Sequence, residues 1–192
     1  MTMKKEDIIT LPNPHLRTRS KKIGIITDEV KRLAEDMIAA TVDWEESREH
    51  ELGVALAAIQ VDKLVRIIVV RNDFDNKDDR TFQVFINPEI TKYEGKEVED
   101  LEGCLSVPDI YGRVNRFEKI RLKATTLEGK QIRMNLDGFL ARILQHEIDH
   151  TNGILFIDHI KGKEEAFFRL NKAGELESLD YDKNIRDNSI LW

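Results

Sequence analysis

Residues Asp137 to Gly153 read DGFLARILQHEIDHTNG. Asp137 is a residue type that caps helices, Phe139, Ile143, His146 and His150 recur at three- and four-residue spacing, and Gly153 after Asn152 is a stop signal. The spacing therefore predicts a helix whose apolar face runs straight into histidines. His146-Glu147-x-x-His150 on a helix sets two imidazoles one turn apart with a carboxylate between them. Two metal ligands and a base then share one face. A lone histidine is usually structural; this pair is read as ligating.

An open hydrolytic metal site takes three protein ligands and keeps one position for water. Cys104, the single cysteine, is the best third ligand in the sequence, and with no second cysteine an intramolecular disulfide is excluded. It lies in Glu102-Gly103-Cys104-Leu105-Ser106, where Gly103 permits a tight backbone and the neighbours can aim main-chain N–H groups into a site. Taken alone, such a cysteine is more often a buried inert thiol. Gly53 to Gln60, GVALAAIQ, is a run of small and apolar residues ending in an amide side chain. By itself it reads as close-packed core, although small residues also let another chain approach the backbone.

Outside these segments the pattern is that of an α+β protein. Thr27 caps an amphipathic helix running to about Glu46. Arg66 to Val70 and Thr81 to Ile86 read as strands, the second ended by Asn87-Pro88. Ile120, Leu122 and Ala124, then Ile132, Met134 and Leu136, alternate about Glu128-Gly129 as a hairpin with one wet face. A third helix is expected over about Lys163 to Ala173, ended by Gly174, with a poorly ordered polar tail beyond. The expected architecture is mixed or antiparallel sheet packed around a central metal-binding helix, with one helix toward each terminus. Residues 1–165 form a catalytic domain, and 166–192 are its C-terminal helix and tail.

The 192 residues are 41% hydrophobic and 34% charged, which suits one domain with a single core. A formal net charge of -6 disfavours a nucleic-acid substrate. The first ten residues hold no apolar run and the longest apolar stretch, Val54 to Ile59, is far short of the roughly 20 residues that span a bilayer. The expected location is the cytoplasm, without a membrane partner.

Taken together and in order, the three segments resemble the peptide deformylases, which remove the formyl group from the N-terminal methionine of nascent polypeptides and release formate. The family's glycine-x-glycine-leucine-alanine-alanine-x-glutamine matches Gly53 to Gln60 except at Ala55, where a glycine is usual. Its glutamate-glycine-cysteine-leucine-serine is complete at Glu102 to Ser106, and its glutamine-histidine-glutamate-x-aspartate-histidine at Gln145 to His150. The likeness extends from about Leu11 to His159 and includes Leu16-Arg17.

The resemblance implies that Cys104, His146 and His150 hold one divalent ion, ferrous iron in the cell, with zinc, nickel or cobalt able to replace it. Glu147 would act as general base and then general acid on water at that ion, and the Leu105 N–H and Gln60 amide would face the developing oxyanion. Val54, Phe139 and Ile143 would form the methionine slot, with Gly53, Ala55, Glu102 and Gly103 completing the substrate-binding set. Formyl-methionyl nascent peptides are the implied partners, together with a transient ribosome contact. Arg142 departs from the apolar residue expected at its position. It either turns to solvent or lies at the rim of the methionine pocket with Asp100 as partner.

Two other readings carry different requirements. A zinc protease of the His-Glu-x-x-His class would take His159 as its third ligand and leave Cys104 unused. A binding domain with a closed structural metal needs four protein ligands, for which there is no second cysteine.

Overall fold

A computed structural model describes residues 2–192. Helix α1 spans Asp28–Glu46, where Thr27 accepts a hydrogen bond from the Val30 N–H at 3.4 Å and Asp28 and Glu29 occupy the first turn. Helix α2 spans Gly138–Thr151. Asp137 stands at its N-terminal boundary as expected, but its side chain makes no capping hydrogen bond. At the other end Gly153 has φ +77, and a Cβ there would lie 2.5 Å from the Arg17 carbonyl oxygen, so the stop requires glycine for conformation and for space.

The strands are β1 Ala55–Ala57, β2 Ile67–Arg71, β3 Phe82–Cys104, β4 Val107–Thr125, β5 Gln131–Asp137, β6 Phe167–Leu170 and β7 Leu176–Ser178. They form one antiparallel sheet in the order β1-β2-β3-β4-β6-β7, with β5 also paired to β4. The β4–β5 hairpin has the register its alternation predicts, Ile120 opposite Leu136 and Leu122 opposite Met134. The second predicted strand, by contrast, does not end at Asn87-Pro88. Asn87 has φ 51 at a register shift between Ile86 and Glu89, and its side chain bonds both backbone groups of Ile23. The turn-forming pair makes a bulge, and β3 continues to Cys104.

Side chains alternate across β1 and β2 with the period of a strand. Ala55, Ala57, Ile68 and Val70 face Ala141, Leu144 and Ile148 of α2, whereas Leu56, Ile67 and Val69 face Ala34, Met37 and Ala40 of α1. Each fully buried aliphatic side chain of this kind stabilises the fold by about 1.5–3 kcal/mol. Gln145 ties α2 to β4, its amide bonding the backbone N–H and C=O of Phe117 at 3.1 and 2.8 Å.

The helix predicted over about Lys163 to Ala173 does not form; the C-terminal part instead holds a five-residue π-helical turn at Asp182–Arg186. Glu164–Ala166 is one 3-10 turn, and Phe167–Leu170 pairs as β6 with Ile110 to Gly112 of β4. Asn171 accepts the N–H groups of Ala173 and Glu175, and Gly174 has φ +78, so the stop signal serves a hairpin turn. A sheet edge that buries Phe167 overrides the helical propensity of the flanking residues. The tail is packed as well: Ile185 and Leu191 are buried, and the Arg17 guanidinium donates to the Leu191 carbonyl at 2.9 Å. No helix among the described residues is long and apolar enough to cross a membrane.

Candidate metal centre and peptide cavity

The ribbon of β3 and β4 reverses through Leu105 and Ser106, with Cys104 paired to Val107. This two-residue turn presents the Cys104 thiol to the buried histidines of α2. Sγ lies 3.2 Å from His150 Nε2, which lies 3.2 Å from His146 Nε2. The donor atoms of all three residues fall within 4.8 Å of one another. Tetrahedral ligation at ordinary bond lengths sets nitrogen donors about 3.3 Å apart, so one thiolate and two imidazoles fit a single divalent ion.

The His146 Nδ1 stands 2.9 Å from Glu102 Oε2. A proton held on that bond leaves the Nε2 lone pair facing the thiol. Both Glu102 oxygens are engaged: Arg116 donates to each at 3.0 Å, and Arg142 donates to Oε1 at 2.7 Å. Burial alone would raise the Glu102 pKa, but the hydrogen bond and charge of His146, reinforced by Arg116, hold it well below the usual carboxylate range. Burial acts downward on both histidines. It keeps His150 well below its ordinary value, whereas Cys104 and Glu102 draw His146 above its own.

Glu147 is buried, and its Oε2 has no hydrogen-bond partner. Desolvation raises its pKa to about 7. An unpartnered buried carboxyl oxygen beside a donor trio is costly unless something else occupies that space. Gln60 sits on the 3-10 turn Ala58–Val61. Its Oε1 accepts the Ala57 N–H at 2.9 Å, which fixes the amide and leaves Nε2 3.1 Å from Ser106 Oγ and 3.6 Å from Cys104 Sγ.

A cavity of about 110 Å³ opens onto this cluster. Val54, Ala55, Phe139 and Ile143 line it with Leu101, as do Gly103, Leu105 and Glu147. Gly53 does not line it, lying buried one residue beyond. Arg142 lines the cavity too and is buried, so the solvent-facing alternative is set aside. Its principal partners are Glu102 and the carbonyls of Val98 and Val114, at 2.5 and 2.9 Å, with Asp100 no nearer than 4.0 Å. His159 bonds Asp149 at 2.7 Å and stands outside the donor trio, which removes the third ligand of the protease reading.

Three neighbours of the site carried no sequence signal of their own. Arg116 reaches Glu102 through the pairing of a long hairpin, Leu101 completes the cavity wall, and Phe74 stacks edge-on against Phe139 with centroids 5.2 Å apart. Ser106, which closes the cysteine motif, restrains Gln60.

The family model Polypeptide deformylase matches residues 5–166. A peptide deformylase of Rhodopseudomonas palustris is 41% identical over 157 residues, covering 80% of this chain and 85% of that protein. One of Rhodopirellula baltica is 38% identical over 183 residues, covering 95% and 86%. A crystal structure of a peptide deformylase from Synechococcus elongatus in complex with actinonin superposes with a TM-score of 0.70 at 33% identity, covering 79% of this chain and 76% of that one. Sequence, fold and the three motifs converging on one cavity agree that the chain belongs to the peptide deformylase family.

Proposed function

We propose that this enzyme removes the formyl group from the N-terminal methionine of newly made polypeptides and that α2 is its central metal-binding helix. The observation that carries the reading is the unpartnered Glu147 Oε2 beside Cys104, His146 and His150, with the Gln60 amide turned toward the same point. A divalent ion held by these donors, ferrous iron in the cell with zinc, nickel or cobalt as possible occupants, supplies a Lewis-acid charge that makes water a nucleophile near neutral pH.

The chain's own groups do the rest. Glu147 takes a proton from the attacking water, whose oxygen bonds the formyl carbon, and returns it to the methionine nitrogen as the C–N bond breaks. Formate and a free amine leave. The Gln60 amide and the Leu105 N–H face the carbonyl oxygen as its charge develops, each worth about 2.7–4 kcal/mol in such a role. The methionine side chain enters between Val54, Phe139 and Ile143. Because Val54 accepts the Arg71 N–H at 2.8 Å, the alternation of an antiparallel pair turns the N–H and C=O of Ala55 away from β2. That free edge is where the peptide backbone pairs. Gly103 closes the opposite lip, and Glu102 serves the site from behind by orienting His146. Actinonin, bound by the Synechococcus elongatus relative, is expected to occupy the same cavity.

Residues 166–192 belong to the same domain as residues 1–165, a reading supported by β6 on β4 and by buried Ile185 and Leu191. The enzyme works in the cytoplasm and meets the ribosome transiently, since its substrate is a chain under synthesis. The test is formate release from a formyl-methionyl peptide with metal content measured on the same sample. Metal-loaded protein that releases no formate would overturn the reading.

A further inference from the structure

Glu45 and Arg71 lie outside the cavity, yet their bonds reach both of its walls. They form an ion pair at 2.5 Å with side chains 1% and 0% exposed. Glu45 Oε2 also accepts the Gly53 N–H at 3.0 Å, and Arg71 Nε donates to the Gly53 carbonyl at 3.2 Å. Both backbone groups of the residue two before Ala55 are therefore held by one buried pair. Arg71 Nη1 also donates to the carbonyls of Lys77 and Asp79, in the segment that carries Phe74 onto Phe139.

Stability does not explain the arrangement. A buried ion pair contributes little compared with apolar side chains of the same volume. Glu45 also sits in the last turn of α1, where the helix dipole disfavours an anion. What the pair supplies is geometry. Gly53 is pressed so closely on α1 that a Cβ there would lie 2.8 Å from Thr41 Cγ2.

We propose that Glu45 and Arg71 are positioning residues for peptide recognition, holding the Gly53 to Ala55 edge and the Phe74–Phe139 wall at the separation an extended peptide needs. This rests on the reading that the peptide pairs along Ala55. The pair acts on affinity for the residues after methionine and leaves the proton transfers of Glu147 untouched.

The test uses the metal-loaded full chain carrying Glu45→Leu together with Arg71→Met, which removes both charges at once and strands neither. Steady-state kinetics are compared on a formyl-methionyl tripeptide and on formyl-methionine amide, with a melting curve on each protein. The expected result is a KM at least tenfold higher for the tripeptide, kcat within twofold, and less than threefold change on the short substrate. Equal losses on both substrates, or none on either, would overturn the proposal. If the double variant does not fold, Glu45→Gln replaces it, with a severalfold rise in KM confined to the tripeptide expected and an unchanged KM overturning. A parent enzyme with the same kcat/KM on both substrates would instead remove the pairing at Ala55, and the proposal with it. A parent that separates them beside a variant that behaves identically sinks only the positioning role.

Discussion

Glu147, Cys104 and Arg142 test the site at the level of single side chains. Glu147→Ala should keep its metal and lose about 10²–10⁴-fold in formate release, the range of a general acid–base; near-normal turnover would exclude Glu147 from the chemistry. Cys104→Ser replaces a strongly donating thiolate with a neutral hydroxyl, so metal content should fall while the circular dichroism spectrum is kept. Arg142→Ile should shift relative kcat/KM across formyl peptides with different first side chains, because Arg142 lines the cavity; identical ratios would place it outside recognition. The trio and its acid were legible because they lie in short local motifs whose spacing a helix or a turn converts directly into geometry. The charges behind them were not. Glu102 meets Arg116 and Arg142 across 14 and 40 residues of chain, separations bridged by the pairing of β3 with β4 and by the packing of α2 against that ribbon.

Among the elements, those announced by periodicity formed where expected: α1, α2 and the β4–β5 hairpin. Two of the misreadings share one cause. Asn87-Pro88 is a turn signal and Lys163 to Ala173 a helical one, and in both places pairing with a neighbouring strand outweighs the local preference. Phe167 is the residue on which the second difference turns. It is 1% exposed on β6 beneath the tail, so Phe167→Ala should destabilise the protein by about 3–5 kcal/mol in urea unfolding. A loss below 1 kcal/mol would mean that β6 is not packed on the core. The amides of Phe167 and Arg169 in the same strand should exchange slowly.

For the whole molecule, three apolar clusters among the described residues join the layers, built almost entirely from side chains other than the three donors. Chelation should therefore leave a folded protein with a lower Tm, since a ligand present at 100 times its Kd adds about 2.7 kcal/mol. Unfolding on chelation would instead make the metal structural. The mixture of helix and antiparallel sheet was readable from the order of patterns. The connections between distant parts of the chain were not, because nothing local announces them. The turn at Leu105 and Ser106 also bears on time. His146 and His150 are neighbours on a single helix, whereas Cys104 meets His150 across 46 residues of intervening chain. Contacts so distant in sequence form after local ones, because the intervening loop must close first. During refolding the thiol should still react with a maleimide after the helical signal has appeared, and become protected only as the ribbon docks. In a chain under synthesis, the same separation means that the centre cannot assemble until α2 has emerged.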